Sequence, residues 1–391
     1  MSISLKENFV IKFGDNNQKI HFYFSPGRVN LIGDHTDYNG GYVFPCSLDF
    51  GTYAAARKRD DKLFRVYSYN FDNIGIIEFN LDELIYKKED DWSNYPKGVI
   101  KKFVDFGMNI NTGMDIYFYG NMPNGASLSS SASIETLMAE ILKCEFNLLI
   151  SDLDLIKLCQ KAENEFIGVK SGILDQFAIY MGKKDNAIFL DCNTLNYEYV
   201  PLNLKDEVIV ISNTNKKRGL VDSKYNERRM SCESALKKLN ENGVNIKNLC
   251  DLNVEKFNEV KKFIDDEEEL KRAKHAVYEN ERTKLAVKYL KENNINKFGE
   301  LMNESHISLR DDYEVSCFEL DTLVKLALEE KGTIGSRMTG GGFGGCTVSL
   351  VSKECVDDFI NNVSKKYTEE TGLKADFYVV NVGDGTKKLE E

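Results

Sequence analysis

The chain has 391 residues, which at roughly 150 residues per domain points to two or three domains, or two large ones. Apolar residues make up 42% and charged residues 29%, with 28 Gly and only 5 Pro, so disordered, collagen-like and proline-rich classes are excluded. A net charge of −11 gives no electrostatic footprint for nucleic acid or an anionic membrane and leaves a small molecule as the default partner.

Nine cysteines form no Cys-x-x-Cys pair and read as reduced, mostly buried thiols rather than a disulfide framework or zinc site. Residues 1–17 lack the continuous apolar core of a secretory signal, and no stretch of about 18 apolar residues occurs, so a cytoplasmic protein is expected.

Along the chain, alternating β-type runs at 20–24, 42–44, 52–56, 63–68 and 75–79 are separated by Gly, Asn and Asp turns, predicting a strand-rich beginning. Apolar residues at helical spacing then predict helices over 92–106, 133–146 and 152–167, followed by strands at 187–191 and 207–212. From 223 to about 331 the composition is charged and apolar-periodic, as in 231–239, 254–263 and 272–289, so this part is mainly helical. The acidic run 265–269 reads as a solvated helix face. Strand signals return at 346–351 and 377–382 around an amphipathic segment, 354–368. With no repeat or low-complexity linker, the division into domains is placed near residue 203, giving 1–203 and 204–391.

Two motifs mislead. Gly340-x-Gly342-x-x-Gly345 fits the dinucleotide fingerprint by letter, but a strand pattern follows it where the fingerprint must open a helix. Asp-Phe-Gly occurs twice, at 49–51 and 105–107, without the His-Arg-Asp loop of a protein kinase.

Three other stretches carry chemistry. In 123–133 a hydroxyl-rich, Gly-containing loop runs into a helix, whose first-turn N–H groups and dipole favour phosphate while serine hydroxyls add donors and a Mg²⁺ ligand. Residues 25–41 pack one Arg, one His, two Asp, a Tyr and four Gly into 17 positions, the groups that bind a hydroxyl-rich ligand such as a sugar. Asp175 lies just beyond Glu163 and Glu165, placing three carboxylates near one helix–loop junction; alone, Asp175 also reads as a helix N-cap.

The segments PGRVNLIGDHTDYNGGYVFP (26–45), PNGASLSSSAS (123–133), SGILDQF (171–177) and GSRMTGGGFGGC (335–346) resemble, in this order, the motifs of the galactokinases within the GHMP small-molecule kinase superfamily. NTNKKRGLVDSKYNERR (213–229) and SHISLRDDYEVSC (305–317) extend the resemblance from about residue 20 to 385. The resemblance implies a two-domain α+β fold, with an N-terminal domain like ribosomal protein S5 domain 2, a ferredoxin-like C-terminal domain and the active site in the cleft between them. It implies ATP-dependent phosphorylation of the anomeric hydroxyl of α-D-galactose, with Mg²⁺, in a monomer.

By the same resemblance, Asp175 and Arg28 are the catalytic pair, and Asp34, His35, Asp37, Gly172 and Tyr225 bind the sugar. Gly125, Ser127, Ser129, Ser130 and Ser131 bind ATP phosphates, and Ser131 with Glu163 holds the metal. The alternatives are a kinase of a related sugar, such as N-acetylgalactosamine or galacturonate, and a sensor that binds galactose and ATP without turnover. Three positions depart from the family: Asp34 stands for Glu, Ser127 for Gly and Phe318 for Pro. The shorter Asp34 implies a carboxylate set back from a sugar hydroxyl with a water in the gap, so that Asp34→Glu would lower KM for the sugar.

Overall fold

The computed structural model describes residues 2–16, 18–122, 128–216 and 221–390. In chain order its main elements begin with α1 (Ser2–Phe13), β1 (His21–Asn30), β2 (Tyr42–Val43), β3 (Pro45–Lys58), β4 (Leu63–Ser68) and β5 (Ile77–Asn80). Next come α2 (Asn94–Asp105), β6 (Met114–Gly120), α3 (Ser130–Glu145), α4 (Asp152–Lys161), α5 (Leu174–Tyr180), β7 (Asn186–Asp191) and β8 (Tyr197–Pro201). The remainder is β9 (Glu207–Asn213), α6 (Val221–Glu241), α7 (Val254–Val260), α8 (Glu267–Lys291), α9 (Ile295–Asp311), α10 (Phe318–Glu329), β10 (Thr333–Thr339), β11 (Cys346–Ser352), α11 (Val356–Thr371), β12 (Asp376–Val380) and β13 (Lys387–Lys388).

The expected strands and helices are present, with boundaries moved by a few residues. Six elements fall outside the expectation: α1, α5, β6, β8, β10 and β13. In β10 the Thr-Ile-Gly-Ser-Arg-Met-Thr sequence alternates poorly because the strand is buried towards its end on both faces.

A six-stranded sheet in the order β13-β1-β3-β6-β4-β5 backs the first half, and a four-stranded antiparallel sheet, β10-β11-β9-β12, forms the second, with α9, α10 and α11 layered beside it. The chain departs from the division at 203 in its last strand, because β13 pairs with β1, Tyr23 opposite Lys388 and Phe24 opposite Lys387.

Two apolar cores set the position of the site. One lies under the six-stranded sheet, where Val66, Ile116 and Phe118 meet Phe103, Leu137, Ile141 and Phe177 of the helices. The other joins the two halves: Val29, Ile32 and Phe44 from the first pack with Ile211, Met302 and Val348 from the second. Burial at this seam holds the segment 28–45 against the second sheet, since each large side chain removed from water contributes roughly 1.5–3 kcal/mol.

Candidate active site

One cavity of about 750 Å³ opens where the two halves meet, and segments far apart in sequence line it together. Its wall carries Arg28, Asp34, His35, Asp37, Ser129, Ser130, Ser131, Glu163, Gly172, Asp175 and Tyr225. Gly125 and Ser127, the remaining expected site residues, lie outside the described residues.

Arg28 reaches this wall because the β1–β3 register shifts between Pro26 and Arg28, a bulge that re-aims the side chain. Its guanidinium grips Asp175 with two bonds, Nε to Oδ1 at 2.7 Å and Nη2 to Oδ2 at 2.9 Å. Burial works against the Arg28 charge, and the Asp175 carboxylate more than offsets it, so the pKa sits above its ordinary value. Asp175 is not an N-cap: Ile173 holds that position, and Asp175 sits in the first turn of α5. Ser129, with φ 61°, ends the approach to α3 in the left-handed region, and its hydroxyl donates to Asp175 Oδ2 rather than capping the helix. A carboxylate offers about four lone-pair positions. Arg28 and Ser129 take three, which leaves one for a substrate hydroxyl.

Beside this pair, α4 runs into a π-turn at Ala162–Ile167, an irregularity frequent at functional sites. The turn directs Glu163 inward, where Ser171 Oγ donates to Oε2 at 2.6 Å and Gln176 Nε2 at 2.9 Å. Burial raises its pKa against the hydrogen bonds from Ser171, Gln176 and Ser131. Glu165, two residues on, turns outward to Lys102 at 2.6 Å and takes no part. Sequence reasoning missed Glu135, fully buried on α3, which accepts from Gln176 at 3.0 Å and whose pKa is pushed up by burial and then by nearby Glu163.

In the sugar-like motif, burial and then neighbouring Asp175 push Asp37 up to about 6, while the backbone N–H groups of Tyr38 and Leu174 pull it down. Asp37 approaches only because residue 172 is Gly: a Cβ there would lie 1.8 Å from Asp37 Oδ2. His35 has a left-handed backbone, φ 64°, and shares a bond of 2.8 Å between Nδ1 and Tyr38 Oη. Burial and the charge of nearby cations keep its imidazole neutral. The Tyr225 ring lies 5.4 Å from that of His35. Asp34, expected to leave a gap towards a ligand, instead pairs with fully buried Arg337 of β10 and accepts from the Gly340 N–H at 3.3 Å. Burial raises the Asp34 pKa and Arg337 pulls it back. Only a motif containing Gly-Ser-Arg hinted at Arg337 in the sequence.

Asp37, Glu163 and Asp175 line the cavity with Arg28, whose charge is paired to Asp175. Such an excess of carboxylates suits a divalent cation. Ser131 and Glu163 could hold one, since a small hard divalent cation takes few protein ligands. No cluster of three or more His, Cys, Asp and Glu ligands occurs among the described residues. The opposite end of the cavity is apolar: Trp92 stacks with Phe71 at 6.2 Å and meets Phe118 edge-on at 5.7 Å, with Tyr95 beside them. A flat heterocycle fits this end, and sequence reasoning did not find it.

Residues 7–58 match the galactokinase galactose-binding signature, 94–183 the GHMP kinase N-terminal domain and 286–369 the GHMP kinase C-terminal domain. The chain is 66% identical to a galactokinase of Fusobacterium nucleatum over 95% of its own length and 96% of the relative's. It is 55% identical to a galactokinase of Bacillus subtilis over the whole of both chains. Its fold matches the crystal structure of Lactococcus lactis galactokinase complexed with galactose, with a TM-score of 0.97 at 50% identity, covering 99% of this chain and 100% of that one. Methanococcus jannaschii mevalonate kinase shares the fold alone, with a TM-score of 0.66 at 19% identity over 94% and 99% of the two chains.

Proposed function

The chain belongs to the galactokinase family of GHMP kinases, and from that membership and the cavity we propose that it transfers the γ-phosphoryl group of ATP to the anomeric hydroxyl of α-D-galactose. The observation that carries this reading is the bidentate Arg28–Asp175 pair, set between the 34–37 loop and the start of α3.

Phosphoryl transfer asks the protein mainly to position two oxygens and to stabilise spread charge. Asp34, His35, Asp37, Gly172 and Tyr225 surround the sugar. The free lone pair of Asp175 accepts the anomeric O–H, orienting its oxygen for attack and receiving the proton as the bond to phosphorus forms. Arg28 prevents the carboxylate from rotating and faces the charge on the transferred group. The first-turn N–H groups of α3, with Ser130 and Ser131, receive the phosphates, and the aromatic end takes the adenine.

Ser131 and Glu163 would hold Mg²⁺, which when bound neutralises phosphate charge. Every group named comes from one chain, which supports action as a monomer. Nine cysteines held as thiols rather than disulfides support a reducing compartment such as the cytoplasm. No helix among the described residues is long and apolar enough to cross a membrane.

The test is a sugar panel with ATP and Mg²⁺, following both ADP and the position phosphorylated. Galactose-dependent ADP release that matches galactose 1-phosphate and stops on Mg²⁺ removal is expected. ADP release that ignores galactose would indicate a sensor, and faster turnover of N-acetylgalactosamine or galacturonate would change the substrate.

A further inference from the structure

The loop 33–42 is held by its own hydrogen bonds and by bonds from outside it. Gly33 has φ +93° and His35 φ 64°, and a non-glycine residue in the left-handed region persists only where its surroundings impose it. Inside the loop, the Thr36 hydroxyl donates to Gly33 O at 2.9 Å and Asn39 Nδ2 to His35 O at 2.8 Å. Thr36 Oγ1 also donates to Tyr42 O at 2.8 Å and Gly41 N–H to Thr36 O at 2.9 Å, Arg337 and the Gly340 N–H hold the Asp34 carboxylate, and α8, in the second half of the chain, adds three further bonds.

Three side chains on adjoining positions of that helix reach three backbone groups of the loop. Gly33 N–H donates to Glu279 Oε1 at 3.0 Å, Tyr42 N–H to Asn280 Oδ1 at 2.8 Å, and His275 Nε2 lies 3.1 Å from Asp34 O. Burial pushes the His275 pKa down to about 4, so its ring is neutral and Nε2–H donates to that carbonyl. Glu279 is itself fixed: Ser305 Oγ donates to Oε1 at 2.5 Å and Arg282 Nε to Oε2 at 2.8 Å. Although fully buried, Glu279 is held down to about 2: burial opposes ionisation, and Arg282, His275 and Arg337 override it. One buried carboxylate therefore joins Ser305 of α9 and Arg282 of α8 to a backbone N–H of the loop. Residues 275–280 also fall outside all three segments matched by the family models.

We infer that Glu279 is a positioning residue for the sugar, acting through the Gly33 N–H, and that with His275 and Asn280 it imposes the turn presenting Asp34, His35 and Asp37 to the cavity. This rests on the sugar reading of that loop. Glu279 does not line the cavity; it fixes the Ile32–Gly33 peptide, while His275 fixes the Asp34–His35 peptide.

The test is Glu279→Gln in the full chain. The glutamine keeps the shape but loses the charge and turns an N–H₂ towards Arg282. Hydrogen bonds to charged groups predict a rise in KM for galactose of about tenfold or more, with KM for ATP and kcat within about threefold. In hydrogen–deuterium exchange, a peptide covering 31–42 should exchange about tenfold faster while one covering β11 is unchanged. A galactose KM within about twofold of wild type, or galactose and ATP KM values rising in proportion, would overturn the inference, since a general loss of structure moves both. If Glu279→Gln does not fold, Asn280→Ala removes the acceptor of Tyr42 N–H together with the bond from Asn280 Nδ2 to Cys250 O at 3.3 Å, and should show the same pattern at about threefold. The exchange measurement needs no sugar: a wild type inert towards galactose would refute the substrate, whereas unaltered exchange at 31–42 would refute the role of Glu279.

Discussion

Arg28–Asp175 and Arg337–Asp34 are chemically the same pair, and both carboxylates border one cavity, yet they differ in what is left open. The Asp175 side chain is 28% exposed and keeps a lone pair towards the cavity. That of Asp34 is 6% exposed, and its partner Arg337 is fully closed off. Arg337 also donates to Asn30 O at 3.1 Å, so the second pair ties β10 to the end of β1. The open pair can exchange hydrogen bonds with a substrate; the closed one joins two halves of the chain. The type of residue does not decide between these uses. Access to the carboxylate does.

The largest effect should follow from closing the open pair to chemistry. Asp175→Asn keeps the side-chain shape but removes the proton acceptor, and kcat should fall by about 10²–10⁴ with ATP affinity retained. Steady-state kinetics within about threefold of wild type would remove Asp175 from the catalytic role.

Opening the closed pair should instead damage the fold. Arg337→Met leaves Asp34 buried without its charge partner, and losing one member of such a pair typically costs about 3–5 kcal/mol, measurable in urea unfolding. A loss below about 1 kcal/mol would show that Arg337 is not the tie between the halves.

Asp37 lies between the two cases, less closed off than Asp34, with its pKa raised by desolvation and then by Asp175. Its folded pKa of about 6 lies above the ordinary 3.8, so the stability contributed by its protonated form is complete below about pH 3.8 and is lost as pH rises through about 6. Binding demands the reverse, because the ionised form accepts from sugar hydroxyls. We expect kcat/KM for galactose to fall about tenfold per pH unit below pH 6 and Asp37→Asn to flatten that limb.

The smallest change is Asp34→Glu. The added methylene has no gap to fill, since Arg337 and Gly340 already meet the carboxylate. A stability loss of about 1 kcal/mol, the low end for overpacking, is expected, with no fall in galactose KM. A clear fall would place the longer carboxylate on the sugar after all.

What could be seen beforehand follows from how local each signal is. The 25–41 cluster, the serine loop and Asp175 are contiguous motifs, and the helices and strands around them follow apolar spacing. Glu165 looked equivalent to Glu163, because a π-turn that sends one carboxylate inwards and leaves the other beside Lys102 has no signature in hydrophobic pattern. Arg337 and Glu279 were hidden for a related reason. Each sits in a segment that otherwise reads as ordinary strand or charged helix, and each acquires its role only from a partner more than 200 residues away. Trp92 and Phe118 belong to separate elements, and their shared wall is a product of folding.

The pairing of β13 with β1 has a consequence for synthesis on the ribosome. Tyr23 and Lys388, opposite one another in the sheet, are separated by 365 positions, and Leu389 N–H and Thr386 N–H bond to Phe22 O and Ile179 O on the same side. At about 5–20 residues per second, the β1 edge waits roughly 20–70 s for its neighbour. Through that interval its backbone groups are a template for any passing strand, including β1 of another nascent chain. The sheet built first is thus the last to be completed, and shielding of that edge is a requirement of the cell producing the protein rather than of the enzyme at work.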